Sequence, residues 1–273
     1  MPRKLFCEIS PLTYKISTFK CRTIRSIKNW VDGRHFAKVR QEELLPFVIY
    51  EHNSLIRRKL GNTRMDLQEN KAVNLSLSAP KVNGILIRPG EIFSFWNLVG
   101  SITAAKGYKE GVIISKSQVE AGVGGGLCQF TNLIHWMVLH TPLTIIEHHH
   151  HDGFDLFPDN NRQVPFGTGT SIAYNYLDYR FKNESDITYQ LIIYVTDTHL
   201  CGELRASDMP PTKYHITTEN EHFVRVDDVV YRRGQVYRTC IDKNAGNELS
   251  RELIRDNNAR VMYDTSHLIV EDI

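Results

Sequence analysis

Residues 122–132 read Gly122-Val123-Gly124-Gly125-Gly126-Leu127-Cys128-Gln129-Phe130-Thr131-Asn132. An apolar run to Leu139 follows, then His140-Thr141-Pro142-Leu143-Thr144-Ile145-Ile146-Glu147 and four histidines, His148, His149, His150 and His151. Three successive glycines lose too much backbone entropy to sit inside a helix or strand, so they read as a tight turn. Behind them Phe130, Leu133, Ile134, Met137 and Val138 recur at helical spacing. Pro142 stops that helix, because the residue before a proline is steered out of the α region. Thr144, Ile145 and Ile146 then read as a buried strand. A cysteine therefore opens a helix behind a glycine turn, and histidines close the next strand.

That placement has chemical consequences. Unpaired N–H groups and a partial positive charge at a helix N-terminus favour a thiolate, and glycines let a substrate backbone approach. A histidine and an orienting acid would complete a nucleophile–base pair. The order Cys, His on the next strand, acid on a later strand resembles that of papain-like and transglutaminase-like cysteine enzymes, with Asp178 as the acid. His135 is excluded as the partner: seven residues along one helix is about 10.5 Å at ~1.5 Å per residue. On a strand, His148 and His150 share one face, and His149 and His151 the other. Cys128, His148 and His150 form an alternative zinc set. Yet Cys-x-x-Cys and His-Glu-x-x-His are both absent, and the sequence asks for no metal and no cofactor. The glycine turn is no phosphate loop, since no Lys-Ser/Thr follows it and Leu127 stands where Gly-x-Gly-x-x-Gly needs glycine. The inert alternative is a packed cysteine capping a core helix.

A chain of 273 residues with 41% apolar and 23% charged residues can bury a large core. No run of eighteen apolar residues marks a membrane span, and no apolar h-region marks a secretory signal. Five cysteines without a pairing pattern suit a reducing compartment, so the expected location is cytoplasmic with membrane association open. Residues 1–40 hold ten Lys and Arg against Glu8 and Asp32, a local +8 that leaves −6 for the rest. This arm is a candidate for peripheral contact with anionic lipid. No nucleic-acid motif accompanies it, so no nucleic-acid partner is expected. The oligomeric state is not legible.

Three segments are expected: a basic arm (1–30), an α+β domain (31–208) and a small β-rich tail (209–273). Residues 32–60 read as a helix kinked or divided at Pro46, and 72–78 as an alternating strand. Short strands follow at 85–87, 92–96 and 112–114, and further strands at 171–175, 177–182, 188–196 and 200–205. These last four are expected to share one antiparallel sheet with the strand before the histidines, covering the apolar helix. The aromatic loop at 154–170 is long enough to be functional. In the tail, 223–231 and 235–241 read as a hairpin around Arg232-Arg233-Gly234.

Several blocks agree in order and spacing with one family. Glu43-Leu44-Leu45-Pro46-Phe47, Asn83-Gly84-Ile85-Leu86-Ile87-Arg88-Pro89-Gly90-Glu91-Ile92-Phe93-Ser94-Phe95-Trp96, Gly124-Gly125-Gly126-Leu127-Cys128-Gln129, His140-Thr141-Pro142-Leu143-Thr144 and Asp178 to Asn183 resemble the VanW family over about residues 30–210. The resemblance implies an accessory role in glycopeptide (vancomycin) resistance or the cell wall. A peptidoglycan precursor or another envelope component would be the partner. It also implies a choice of activities: cysteine-dependent acyl transfer or amide cleavage, or non-catalytic binding. On the catalytic reading Cys128 is the nucleophile, His151 the base and Asp178 the orienter, with Gly124, Gly125, Gly126, Gln129 and His149 as binding residues. Two departures stand out. His148 replaces the family's usual Arg, and Gly169 replaces an Asp common in the family's Gly-x-Asp-Ala-Thr.

Overall fold

The expected central helix forms as α4 (Cys128–Leu139), and nine of its twelve residues are buried, from Phe130 to Leu139 with Asn132 excepted. A helix apolar nearly all round belongs inside, and the rest of the fold is wrapped about it. The structure, a computed structural model, describes residues 5–31, 34–58, 64–115, 118–150, 153–159 and 163–273. It is an α+β structure with mainly antiparallel sheets.

One sheet runs in the order β1 (Phe47–Leu55), β10 (His199–Ala206), β9 (Tyr189–Val195), β2 (Ile85–Ile87). A second has β3 (Ile92–Ser94), β8 (Arg180–Lys182) and β6 (Thr144–Glu147). Leu133, Ile134 and Met137 of α4 share a core with Leu191, Leu200, Leu204, Phe93 and Phe181 of these sheets. Burying each such side chain stabilises the fold by roughly 1.5–3 kcal/mol. The hairpin β4 (Glu110–Ser115) and β5 (Gln118–Val123) delivers the glycine turn to α4. Helix α2 (Met65–Val82) lies against that turn, while short α3 (Phe95–Val99) follows β3. The C-terminal sheet, β14 (Val270–Asp272), β11 (Thr212–Val226), β12 (Val229–Asp242), β13 (Glu248–Val261), takes β7 (Phe154–Asp155) from the middle of the chain as its last strand. The tail is thus tied to the domain: Arg238 of β12 also donates to the carbonyls of Leu139 and Thr141 at the end of α4. Basic α1 (Pro11–Val31) docks through Arg25, whose guanidinium forks onto Glu147 at 2.5 and 2.7 Å.

Four expectations are corrected. Within 32–60 there is no helix among the described residues; 47–55 is β1, paired with β10 from Phe47↔Ala206 to Leu55↔His199, with Pro46 just outside. The partner lies about 150 residues away, beyond any local periodicity. Residues 72–78 lie in α2, where the buried positions are Leu67, Gln68, Lys71, Asn74, Leu75, Ser78, Ala79 and Val82. Four of these eight are polar, so counting apolar residues hid the helical stripe. Of the four later runs only β8 joins β6; β9 and β10 belong to the first sheet, and 171–175 has only an isolated bridge between Ala173 and Leu177. In the tail the chain turns at Asp227-Asp228, both at positive φ, and Arg232 to Gly234 lie inside β12.

Candidate active-site cleft

A cleft of about 320 Å³ opens beside the start of α4. Cys128, Gln129 and Asn132 line it from α4, Gln68 and Lys71 from α2, and His150 from the segment after β6. Residues from 154–157 and 163–170 of the aromatic loop line the far side. Arg232 of β12, 2% exposed, holds that loop by bonds to Asp159 at 2.6 and 2.9 Å and to Asp155 at 3.3 Å. Tyr263 donates to Asp155 as well, and Asn257 donates to the Phe166 carbonyl. The tail therefore fixes one wall of the cleft.

The glycine turn is needed for two close approaches. Gly125 lies so near Gly111 that a Cβ would come within 2.2 Å of its carbonyl, and Asn74 of α2 donates to the Gly125 carbonyl at 2.9 Å. Gly126, at φ +90°, lies under the Lys71 stem, where a Cβ would meet Cγ at 2.3 Å. Gly124 also has positive φ. Gln129 is a tether: its amide donates to Ser54 Oγ at 2.8 Å and to the Leu55 carbonyl at 2.9 Å, joining α4 to β1.

Cys128 is half-buried and lines the cleft. Burial pushes the thiol up, against the opposing pull of the Ile172 and Cys128 N–H groups. This direction is the reverse of the lowering expected from the helix terminus.

The histidines separate. His148 stacks on His135 with ring centroids 4.3 Å apart and its Nε2 donates to the Gly169 carbonyl at 2.9 Å. His149 Nε2 lies 3.0 Å from Glu147 Oε1, on the opposite side, away from the cleft lining. His150 is the described histidine of the run that lines the cleft with Cys128. Its Nε2 and Asn132 Oδ1 flank Gly169, at 3.7 and 3.9 Å from where a Cβ would stand. His151 lies outside the described residues. His135 is buried against the Tyr179 hydroxyl at 3.1 Å, and burial first, then His148, His150 and Arg238, hold it well below the usual imidazole range. The alternative set Cys128, His148 and His150 does not converge: among the described residues no three His, Cys, Asp or Glu side chains are placed to hold a metal ion.

Asp178 belongs to a different cluster. Oδ1 accepts from the N–H groups of Trp96 and Tyr179 and Oδ2 from Ser94 Oγ and Arg180 Nε, at 2.6–3.1 Å, so its partners are structural groups rather than a histidine. Sequence reasoning missed Gln68, Lys71 and Asn132. The available signal was the polar three-residue rhythm of 68, 71 and 74.

The fold and cleft define an α+β protein with a glycine turn, a cysteine-headed buried helix and a histidine in one cavity. A profile described as "VanW like protein" matches residues 70–205. The chain is 32% identical to the "Vancomycin B-type resistance protein VanW" of Enterococcus faecalis, over 85% of this chain and 84% of that protein. It is 29% identical to the "Uncharacterized protein YoaR" of Bacillus subtilis, over 56% of this chain and 45% of that protein. No solved structure matches. The chain belongs to the VanW family.

Proposed function

We propose that the cleft performs cysteine-dependent acyl transfer or amide cleavage on a cell-wall peptide. The observation that carries this reading is Cys128 and His150 lining one cleft at the head of α4. Kinship with a protein named for vancomycin resistance supports an envelope peptide as substrate. Cys128 Sγ attacks the amide carbonyl while His150 accepts the thiol proton. Collapse of the tetrahedral adduct forms a thioester and releases the amine, which takes the proton back from the imidazole. Water or a second amine then receives the acyl group. His150 takes the place of His151 as the base in this scheme, because among the described histidines of the 148–151 run it is His150 that lines the cleft.

The raised thiol favours a second reading, a non-catalytic module that binds the same kind of peptide. Mass spectrometry of muropeptides after incubation separates the two. The enzyme reading expects cleaved or exchanged product that falls by on the order of 10³-fold or more in Cys128→Ser. A folded Cys128→Ser protein with undiminished product formation overturns it, and so does a wild type that binds muropeptides and leaves them unchanged.

We also infer peripheral attachment to anionic membranes through α1. Leu12, Ile16, Phe19, Ile27 and Trp30 are exposed and recur on one helical face, with Lys15 and Lys20 on its flanks. Trp30 is 84% exposed, and such a basic amphipathic helix lies in a lipid interface. Among the described residues no helix is long and apolar enough to cross a membrane. Co-sedimentation with phosphatidylserine vesicles should be strong, and weak for Phe19→Glu/Trp30→Glu; equal sedimentation of the two proteins refutes the attachment.

A further inference from the structure

Helix α2 presents two buried polar groups to the cleft. Gln68 is 1% exposed, and neither its amide nitrogen nor its amide oxygen has a hydrogen-bond partner. Lys71 follows one turn later, 6% exposed, with its stem laid over Gly126 two residues ahead of Cys128. No hydrogen bond or ion pair to the Lys71 ammonium exists among the described residues. Native proteins rarely leave such groups unsatisfied, because an orphaned donor or acceptor carries its whole desolvation cost. A charge without a counterion costs more.

The sign of the surroundings identifies what is missing. Arg58 lines the same cleft as Lys71. Among the described lining residues Asp155 is the one carboxylate, and it is engaged by Tyr263 and Arg232. Lys71 and Arg58 thus give this end of the cavity two basic side chains. Gln68 narrows the class further. A sulfate or a phosphate diester offers acceptors to the amide nitrogen but leaves the amide oxygen orphaned. A peptide C-terminal residue offers both complements, a carboxylate oxygen for Gln68 Nε2 and Lys71 and its own N–H for Gln68 Oε1.

We propose that Gln68 and Lys71 form a recognition subsite for a peptide's free C-terminal carboxylate and the adjoining amide N–H, beside the thiol of Cys128. The inference rests on the peptide reading of the cleft, and it sharpens that reading: the substrate is a peptide whose reacting amide lies near its carboxyl end. Burial, then Arg58 and Arg57, push Lys71 down to about 7, and a bound carboxylate would restore its charge.

The test is calorimetric or NMR titration with N-acetyl-dialanine, in D,D and L,L forms, as the free acid and as the carboxamide. The wild type should bind the acid of one form at least tenfold more tightly than its amide. Lys71→Met should abolish that discrimination, and Gln68→Leu should weaken acid and amide alike. Far-UV circular dichroism and Tm show whether each variant is folded, and both are expected to be at least as stable as the wild type. Equal binding of acid and amide, no binding at millimolar concentration, or full discrimination in Lys71→Met overturns the proposal. Inorganic phosphate binding as tightly as the acid overturns the peptide assignment. Repeating the titration in Cys128→Ser separates the two readings. Carboxylate preference that persists there stands without any thiol chemistry. Cys128-dependent turnover with equal rates for acid and amide sinks the subsite and leaves the enzyme.

Discussion

Two buried polar clusters, one around Asp178 and one along α2, are built by opposite rules. Around Asp178 every group is answered. The carboxylate accepts from four donors, Arg180 at 1% exposure binds it at 2.7 Å, and Arg180 also donates to Asn29 of α1. Along α2 the satisfaction runs out toward the cleft. Ser78 bonds the Tyr108 hydroxyl, and Asn74 holds Gly125 and both backbone groups of Lys109. Gln68 has no such partner for either amide atom, and Lys71, between Gln68 and Asn74, makes no hydrogen bond or ion pair among the described residues. A fully bonded network fixes a fold, whereas buried groups left open cost stability that only a ligand returns. The comparison assigns Asp178 to architecture, although the order of the chain suggested a catalytic orienter, and leaves α2 as the element proposed for recognition.

Breaking the satisfied cluster should have the largest effect. Asp178→Ala strands the Arg180 guanidinium and should cost about 3–5 kcal/mol by denaturant titration. A loss under 1 kcal/mol would mean that Glu147, 3.5 Å from Arg180, compensates and that the cluster is not the strut described.

Lys71→Met should move stability the other way, by roughly 1–3 kcal/mol at pH 6.5. The sign follows from linkage. Lys71 titrates at about 7 in the folded state and near its ordinary 10.5 unfolded. Between those values the unfolded chain holds more protons, so wild-type stability rises with pH. The penalty is whole below about 7 and fades toward 10.5, so the advantage of Lys71→Met should shrink between pH 6.5 and 9.5. An advantage constant across that range would show that Arg57, Arg58 and burial do not act on Lys71 as described.

Gln68→Leu should stabilise by about 1 kcal/mol, since it removes an amide with no partner. Destabilisation by that amount would reveal a bond the fold makes to Gln68 and weaken the contrast. The smallest effect concerns Cys128. Its thiol, pushed up by burial, should react with iodoacetamide at pH 7.5 more slowly than exposed Cys21, read by peptide mass mapping. Faster labelling of Cys128 would mean that its N–H donors outweigh burial.

What the sequence determined is what short-range physics writes. Three glycines, a helical apolar stripe and Pro142 define the turn, α4 and its end, because backbone entropy and 3.6-residue periodicity act locally. The strands 85–87 and 189–195 were legible for the same reason, as was the presence of a cysteine and histidines around one turn. Tertiary structure decided the rest. Phe47 to Leu55 became a strand because β10 supplied its partners, and α2 carried polar residues inward because a cleft lay beneath them. Only packing could choose His150 over His148 and His149 as the histidine lining the cleft, since strand alternation gives two faces without saying which meets α4. The thiol's direction of shift was also beyond the sequence, because desolvation by residues far along the chain outweighs the helix-terminal N–H groups that sequence alone can place.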